Sequence, residues 1–240
     1  EKIYRNPDIG CAGAYVVPAT PLPEDEIFWE HQNSMRLMES ELGHSSVMVA
    51  VAYSFRRRVV DRYPEDVIAD DVYSAFKANT GGWKSLYCPA VRAEELRSGS
   101  GWRGMVGHKF RKLNANMREL KRFLPQLRRM TPIWRMMFIT KFIQSWVVAP
   151  ASILLLILLL FSLCIAGETA LIFWVSAIVF SVIFQLVAES LLKKYRPPSR
   201  SSRRGPLRRI MYAAIFLIII LGGFFRYFLV NQTSSYRKVS

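Results

Sequence analysis

The sequence contains few cysteines and few histidines, three of each among 240 residues. The cysteines Cys11, Cys88 and Cys164 are an odd number without paired spacing, which argues against a disulfide framework and fits a reducing compartment. His31 and His44 have no His, Cys or carboxylate neighbour at metal-ligand spacing, so neither is predicted to bind a metal ion. No Gly-Lys-Ser/Thr motif occurs, and a nucleotide-binding P-loop is therefore not expected.

Acidic residues are scarce in the second part of the chain. Residues 1–91 have a net charge of −4, whereas residues 92–240 carry 24 Lys and Arg against 5 Asp and Glu, and the whole chain has a net charge of +15. The basic residues flank apolar runs and do not interleave with aromatic residues on one face, so nucleic acid is not a predicted partner. This arrangement is typical of charge beside membrane-spanning segments.

Three long segments lack charge almost completely, namely 147–165, 169–188 and 210–230, the last with one arginine. A helix of 19 residues is about 28 Å long, close to the ~30 Å thickness of the hydrocarbon core of a bilayer. The loop 189–209 holds 8 Lys and Arg against one acidic residue. We therefore expect an integral, multi-pass membrane protein with three transmembrane helices, a cytosolic N-terminal domain and a short exoplasmic tail at 231–240.

The segment 125–146 is predicted to be an interfacial amphipathic helix. Residues 92–146 contain 13 Lys and Arg against 3 Asp and Glu. Large apolar residues are distributed among these cations: Ile133, Trp134, Met137, Phe138, Phe142 and Trp146. A helix of this composition can lie at a membrane surface with its apolar side toward the lipid.

Strands and helices alternate in the first 90 residues. Apolar β-prone runs at 7–17 and 46–55 predict buried strands, and the second run should be covered on both faces of a mainly parallel sheet. Helical spacing predicts helices at 24–42 and from residue 70 to a Gly-Gly stop, followed by a strand at 83–88. This order indicates an α/β domain with its functional site at the strand ends.

Two adjacent carboxylates, Asp70 and Asp71, stand at the start of the second predicted helix. Such a pair has two interpretations. Asp70 can act only as an N-cap, accepting hydrogen bonds from the first backbone N–H groups of the helix. The pair can instead take part in acid–base chemistry, and the motifs in the surrounding sequence favour this second interpretation.

Several short motifs occur in a fixed order around this pair: Ser54-Phe55-Arg56-Arg57, Asp70-Asp71, Gly82-Trp83-Lys84, Tyr87-Cys88-Pro89 and Glu94-Glu95. This order resembles the inverting, nucleotide-sugar-dependent glycosyltransferases of the cellulose, chitin and hyaluronan synthase type (family 2-like). The family usually has Glu-Asp where this chain has Asp70-Asp71. The resemblance implies that residues 1–124 form the C-terminal part of a cytosolic, Rossmann-like glycosyltransferase domain of GT-A type.

The resemblance also implies roles for individual residues. Asp71 corresponds to the general base that takes the proton from the acceptor hydroxyl, and Asp70 would orient it. Near the start of a helix we expect Asp71 to remain ionised at neutral pH. Arg56 and Arg57, at the end of the predicted strand 46–55, are candidates for contact with the donor diphosphate.

The family's Gln-x-x-Arg-Trp motif falls on His108-Lys109-Phe110-Arg111-Lys112. Arg111 would bind the leaving diphosphate, assisted by Lys109, while His108 and Trp83 would contact the acceptor. Lys112 stands where the family has the tryptophan that stacks on the acceptor sugar. We therefore predict transfer of one or a few sugars to a lipid or short saccharide acceptor, because a charged side chain lacks an aromatic stacking face.

The family's nucleotide-binding strands and its Asp-x-Asp metal site are expected before Glu1, so the chain is interpreted as a piece of a longer protein. Mg or Mn and a nucleotide-sugar donor are implied for that whole protein. Three alternatives remain: a processive polysaccharide synthase, a non-catalytic membrane scaffold with a degenerate transferase domain, and a membrane-anchored binder of acidic partners.

Overall fold

The structure of the protein, a computed structural model, describes residues 2–19, 23–96, 101–169, 172–176, 221–225 and 227–229. In these ranges the helices and strands are β1 (Ile9–Pro18), α1 (Pro23–Glu41), β2 (Tyr53–Phe55), α2 (Asp70–Thr80), β3 (Lys84–Glu95), α3 (Gly101–Phe123), α4 (Pro132–Trp146) and α5 (Val148–Ala166). Short 3₁₀ helices span Lys2–Arg5 and Leu124–Arg129. The predicted α/β class is confirmed.

The sheet has three strands in the order β2-β1-β3 and is mixed. β1 pairs antiparallel with β2, where Gly13 lies opposite Tyr53, and parallel with β3, where Ile9 lies opposite Lys84. A Cβ atom on Gly13 would lie 2.2 Å from the carbonyl oxygen of Met48, so only glycine allows this close approach of the two backbones.

The predicted buried strand 46–55 is wrong in length and in environment. Only Tyr53–Phe55 forms a strand, and it is antiparallel and partly exposed. The preceding residues leave the sheet because Ser46 is bonded to Glu39, its N–H and its hydroxyl lying 2.8 and 2.7 Å from Glu39 Oε2. Val49, with φ +63°, then turns the chain back toward the sheet. Apolar composition alone does not reveal these contacts.

β3 is longer than the predicted strand 83–88, which was expected to end at Pro89. The register shifts where Ala14 pairs with Cys88 and the next residue, Tyr15, pairs with Arg92. This irregularity accommodates Pro89, which has no N–H to donate, and the strand continues to Glu95.

The larger core is built around α2. Phe76 is fully buried, and its ring centroid lies 5.2 Å from that of Trp134 and 5.6 Å from those of Phe123 and Phe138. Burial of aromatic side chains at these centroid distances stabilises the fold through apolar area and edge-to-face contacts. α2 is thereby held between the sheet and the helices α3 and α4.

α4 has apolar side chains on two faces. Trp134, Met137 and Phe138 point into the core and do not face outward as the interfacial prediction required. Other large apolar residues of α4 are exposed: Ile133, Met136, Ile139 and Ile143. The helix begins after Thr131, whose Oγ1 accepts a hydrogen bond from the Trp134 N–H at 3.4 Å.

In the described part of the chain, no single helix is both long and apolar enough to cross a membrane. The segments Pro132–Trp146 and Pro150–Ser162 reach that length and composition only as a pair, bent by 46°. The first predicted span, 147–165, corresponds to α5. Most of the predicted spans 169–188 and 210–230 lies outside the described residues.

Candidate active site

Asp70 and Asp71 are the first two residues of α2. α2 ends at Thr80, shortly before Lys84, and Lys84 pairs with Ile9 at the beginning of β1. The end of α2 therefore lies near the amino ends of β1 and β3, and its start lies toward their carboxyl ends. In α/β folds this end of the sheet is the usual position of a binding crevice. Asp71 therefore lies toward this end of the sheet, and the location of the functional site there remains a prediction.

Asp71 is partly buried and is bonded to two backbone N–H groups. Its Oδ1 accepts from Val72 at 2.9 Å, and its Oδ2 accepts from Ala50 at 3.1 Å. The second bond connects α2 to the turn before β2. Both bonds orient the carboxylate, which is the group that would accept a proton.

Asp70 is not the N-cap of α2. Ala69 occupies that position and provides no side-chain cap, so the N-cap interpretation of Asp70 is wrong. The Asp70 carboxylate instead accepts a hydrogen bond of 2.8 Å from the Tyr53 hydroxyl. The same hydroxyl lies 3.4 Å from that of Tyr63, which in turn is 2.6 Å from the Ser74 hydroxyl.

The environment of Asp71 changes its acidity. Burial raises the pKa of its carboxyl above the ordinary value, and the negative charge of Asp70 raises it further. Lys112 and Arg36 act in the opposite direction and lower this pKa. The expectation from the sequence considered only the start of the helix, and it missed the burial that raises the pKa.

The turn that holds Asp71 has a strained backbone. Val49 is β-branched and buried, yet its φ is +63°, a conformation that L-residues other than Asn and Asp rarely adopt. Its neighbour Ala50 provides the N–H that Asp71 accepts. Such strain persists only where the surrounding structure maintains it, and it is frequent at functional sites.

α3 brings one basic side chain close to this carboxylate. Lys112 Nζ lies 3.6 Å from Glu95 Oε1 and 5.7 Å from the ring centroid of Trp29. His108 and Arg111 lie on the preceding turn, with Arg111 Nη2 3.4 Å from His108 Nδ1. Lys109 is buried on the same helix.

The structure does not bring Arg56 and Arg57 together with Asp71. The Arg56 guanidinium binds the carbonyl oxygen of Ile9, the first residue of β1, at 2.7 Å and that of Tyr4, in the preceding 3₁₀ helix, at 2.6 Å. Arg57 forms an exposed ion pair of 3.6 Å with Asp61. Both arginines therefore lie toward the opposite end of the sheet.

Trp83 also lies at that opposite end. It directly precedes β3, and the guanidinium carbon of Arg58 lies 4.3 Å from its ring centroid. A Cβ atom on Gly10 would be only 2.7 Å from the Trp83 Cβ, so the tryptophan packs against the start of β1. Contact of Trp83 with an acceptor remains a prediction from the resemblance.

Two residues near Asp71 were missed by sequence reasoning, Trp29 and Arg36 on α1. Both are buried, and the guanidinium carbon of Arg36 lies 5.4 Å from the Trp29 ring centroid. Trp29, Asn33 and Arg36 recur at intervals of four and three residues, which places them on one face of the helix. The arginine on the same helix face as Trp29 was the feature of the sequence that could have indicated these two residues.

Within the described ranges, no group of three or more His, Cys, Asp or Glu side chains is arranged to hold a metal ion. The Mg or Mn ion that the resemblance implies remains a prediction from the resemblance.

The fold is similar to that of a glycosyltransferase. No family model and no curated protein matches the sequence. One similar solved structure is the mannosyltransferase PcManGT from Pyrobaculum calidifontis in complex with GDP-Man and Mn2+, with a TM-score of 0.59 and 15% sequence identity. The match covers 93% of this chain and 55% of that chain, so this chain spans about half the length of the mannosyltransferase.

Proposed function

We propose that this chain is the acceptor-side part of a membrane-bound glycosyltransferase. It transfers a hexosyl group from a nucleotide-sugar donor to a lipid or saccharide acceptor by an inverting mechanism. The observation that carries this proposal is Asp71, held by the Ala50 N–H at 3.1 Å in a fold similar to that of a glycosyltransferase.

In the proposed reaction Asp71 is the general base. One of its carboxylate oxygens takes the proton of the acceptor hydroxyl while the hydroxyl oxygen forms a bond to the anomeric carbon. The bond from that carbon to the diphosphate breaks, and its electron pair leaves with the diphosphate. Burial supports this role because a carboxylate with a raised pKa accepts a proton more readily.

Asp70 and the basic residues of α3 complete the proposed machinery. Asp70 raises the pKa of Asp71 by its charge and is itself held by Tyr53. Arg111 and Lys109 stabilise the negative charge that develops on the leaving diphosphate. The resemblance implies Mg or Mn for this reaction, and among the described residues no group of three or more His, Cys, Asp or Glu side chains is arranged to hold it.

Lys112 supports transfer of one or a few sugars over processive synthesis. It occupies the family's tryptophan position, and its ammonium group lies 3.6 Å from Glu95. An ion pair at this position offers no aromatic face on which an acceptor sugar stacks. The positive charge of Lys112 also lowers the pKa of Asp71, and this effect suits a residue that belongs to a polar acceptor site.

Membrane attachment is supported by the outer face of α4 and by α5. Ile133, Met136 and Ile143 are between 45% and 61% exposed on α4. Many leucines and isoleucines of α5 are also exposed, including Leu154, Leu160 and Ile165. Exposed apolar side chains in this number are suited to contact with lipid. The distribution of basic residues favours a cytosolic catalytic domain.

The proposal is tested by comparing Asp71→Asn with Asp70→Asn in the intact protein. Removing a general base lowers the rate by about 10²–10⁴-fold, so Asp71→Asn should lose transfer while its melting temperature changes little. Asp70→Asn should lose less, because Asp70 acts through Asp71. Asp61→Asn, an exposed carboxylate on the loop before α2, is the matched control.

A result of near-normal transfer by Asp71→Asn, combined with a lower melting temperature, would show that this residue only stabilises the start of α2. The Asp71 hydrogen bonds would then be structural. Loss of an end-of-helix hydrogen bond costs about 1 kcal/mol, which calorimetry resolves.

A further inference from the structure

Arg36 is a buried cation without a carboxylate partner among the described residues. It is 8% exposed, and its Nε atom has no hydrogen-bond partner in the described part of the chain. Its Nη1 lies 3.4 Å from the amide oxygen of Asn33, which is a long and weak contact. A buried charge is normally paired, so Arg36 calls for an explanation.

Two aromatic rings flank the guanidinium. Its central carbon lies 5.4 Å from the ring centroid of Trp29 and 5.8 Å from that of Tyr87. Tyr87 is fixed by two hydrogen bonds, one to Asn33 Oδ1 at 2.7 Å and one from the Val16 N–H at 2.8 Å. The rings hold the guanidinium in position, but they do not neutralise its charge.

A second cation approaches the same tryptophan from α3. Lys112 Nζ is 5.7 Å from the Trp29 ring centroid, and its side chain is 47% exposed. Arg36 and Lys112 are therefore two positive charges around one buried ring, with Lys112 at the solvent side. Glu95 lies 3.6 Å from Lys112 and forms an ion pair with that residue.

Both cations act electrostatically on Asp71, although in the described part of the chain neither forms a hydrogen bond or an ion pair with it. Arg36 therefore acts on the carboxylate proposed as general base, while its Nε donor has no acceptor in the described part of the chain. An oxyanion near Trp29 would accept a hydrogen bond from this Nε donor of Arg36.

We propose that Arg36 and Lys112, which lie 5.4 and 5.7 Å from the Trp29 ring centroid, bind an anionic group of the acceptor substrate, a phosphate or a carboxylate. The assignment of the anion to the acceptor rests on the proposed function, because the base contacts the acceptor hydroxyl. Arg36 provides a planar donor group suited to such an oxyanion, and Lys112 provides a point charge at the entrance.

The first experiment measures binding of inorganic phosphate to the intact protein without any donor or turnover. Arg36→Gln should weaken phosphate binding by about ten- to a hundredfold, as expected for loss of a buried charged hydrogen-bond donor. Lys112→Gln should weaken it by about two- to fivefold, because that side chain is half-exposed. Lys121→Gln, an exposed lysine on the same helix, is the matched control and should leave the affinity unchanged.

Equal phosphate affinity in Arg36→Gln and in the parent protein would overturn the proposal. This measurement involves no sugar transfer. The proposed function fails by a different result, namely normal sugar transfer by Asp71→Asn, so the two failures can be distinguished. Arg36→Lys should restore part of the affinity, since it keeps the charge and loses the planar donor group.

A competition experiment assigns the anion to acceptor or donor. Phosphate binding that persists in a large excess of GDP supports an acceptor site separate from the donor diphosphate. If GDP displaces phosphate and Arg36→Gln also weakens GDP binding, the site belongs to the donor and the acceptor assignment is wrong.

A thermal denaturation experiment separates binding from a structural role. Arg36→Met should melt at the same temperature as the parent or higher, because it removes a buried charge that has no ion pair with a carboxylate among the described residues. It should also lose the rise in melting temperature that phosphate produces in the parent protein. A lower melting temperature together with a retained phosphate response would mean that Arg36 only stabilises the fold.

Discussion

The Ala50 N–H donates to Asp71 Oδ2 across 3.1 Å and thereby connects the turn before β2 to the first turn of α2. These residues are 21 positions apart in the chain. This hydrogen bond orients one carboxylate oxygen, while neighbouring charged residues shift the pKa of the group. The position and the acidity of Asp71 are consequently set by residues from several parts of the fold.

The pH dependence of transfer should respond in opposite directions to two neighbouring substitutions. Asp71 has a raised pKa and must be ionised to act as base, so kcat/KM should fall as the pH drops through that pKa. Asp70→Asn removes a nearby negative charge, which should lower the pKa and move this acidic limb to lower pH. Lys112→Gln removes a positive charge and should move it to higher pH. Shifts in the same direction would contradict this electrostatic account.

Replacement of Val49 should show that its backbone conformation is strained. At φ +63° a glycine is unstrained, whereas alanine in a left-handed conformation costs about 1–2 kcal/mol. Val49→Gly should therefore be more stable to unfolding than Val49→Ala, by roughly 1 kcal/mol. The control is Val59, another buried valine, where alanine should be the better replacement. The same order at both positions would rule out a positive φ at residue 49.

A buried ion pair connects α4 to α1. Lys141 Nζ lies 2.6 Å from Glu39 Oε1, and the Glu39 side chain is 3% exposed. Lys141→Met should cost about 3 kcal/mol of unfolding free energy because it leaves a buried carboxylate unpaired. Adding Glu39→Gln should cost little more, so the two effects should not be additive.

The exposed pair Lys84–Asp8 provides a control for this double-mutant cycle. Its atoms are 3.3 Å apart, but the side chains are 50% and 60% exposed. Its coupling energy should be below about 1 kcal/mol. A coupling energy between Glu39 and Lys141 as small as this would show that the buried pair does not stabilise the attachment of α4.

The outer face of α4 should lie in lipid. In a variant with Cys88 and Cys164 replaced by serine, a fluorescent label at Met136→Cys or Ile143→Cys should be quenched by nitroxides attached to lipid chains. The expected depth is about 5–10 Å below the headgroups. The same label at Lys77→Cys, exposed on α2, should not be quenched. Equal quenching at all three positions, or none, would contradict a membrane-facing surface on α4.

The sequence was sufficient to predict the elements that depend on local patterns. The apolar spacing of Val72, Ala75 and Phe76 and the glycines at 81 and 82 predicted α2, which spans Asp70–Thr80. The alternation of strands and helices predicted the α/β class. Each of these features depends on residues close together in the chain, and the pattern therefore carries the information.

The sequence was less informative about strand ends and about exposed faces. The run 46–55 has strand composition, but the bonds of Ser46 to Glu39 leave only Tyr53–Phe55 in the sheet. Trp134 has the same apolar character as Ile133, and packing against Phe76 decides that only the tryptophan is buried. These outcomes depend on partners that are distant in the chain.

For the candidate site, the sequence by itself determined Asp71 and its place at the start of a helix at the strand ends. Only the tertiary structure decided which cations surround it, because Lys112 and Arg36 come from two different helices, while Arg56 is directed by β-sheet register to the opposite end. Electrostatic interaction depends on distance in space and on burial. Neither quantity is contained in the order of the residues until the chain has folded.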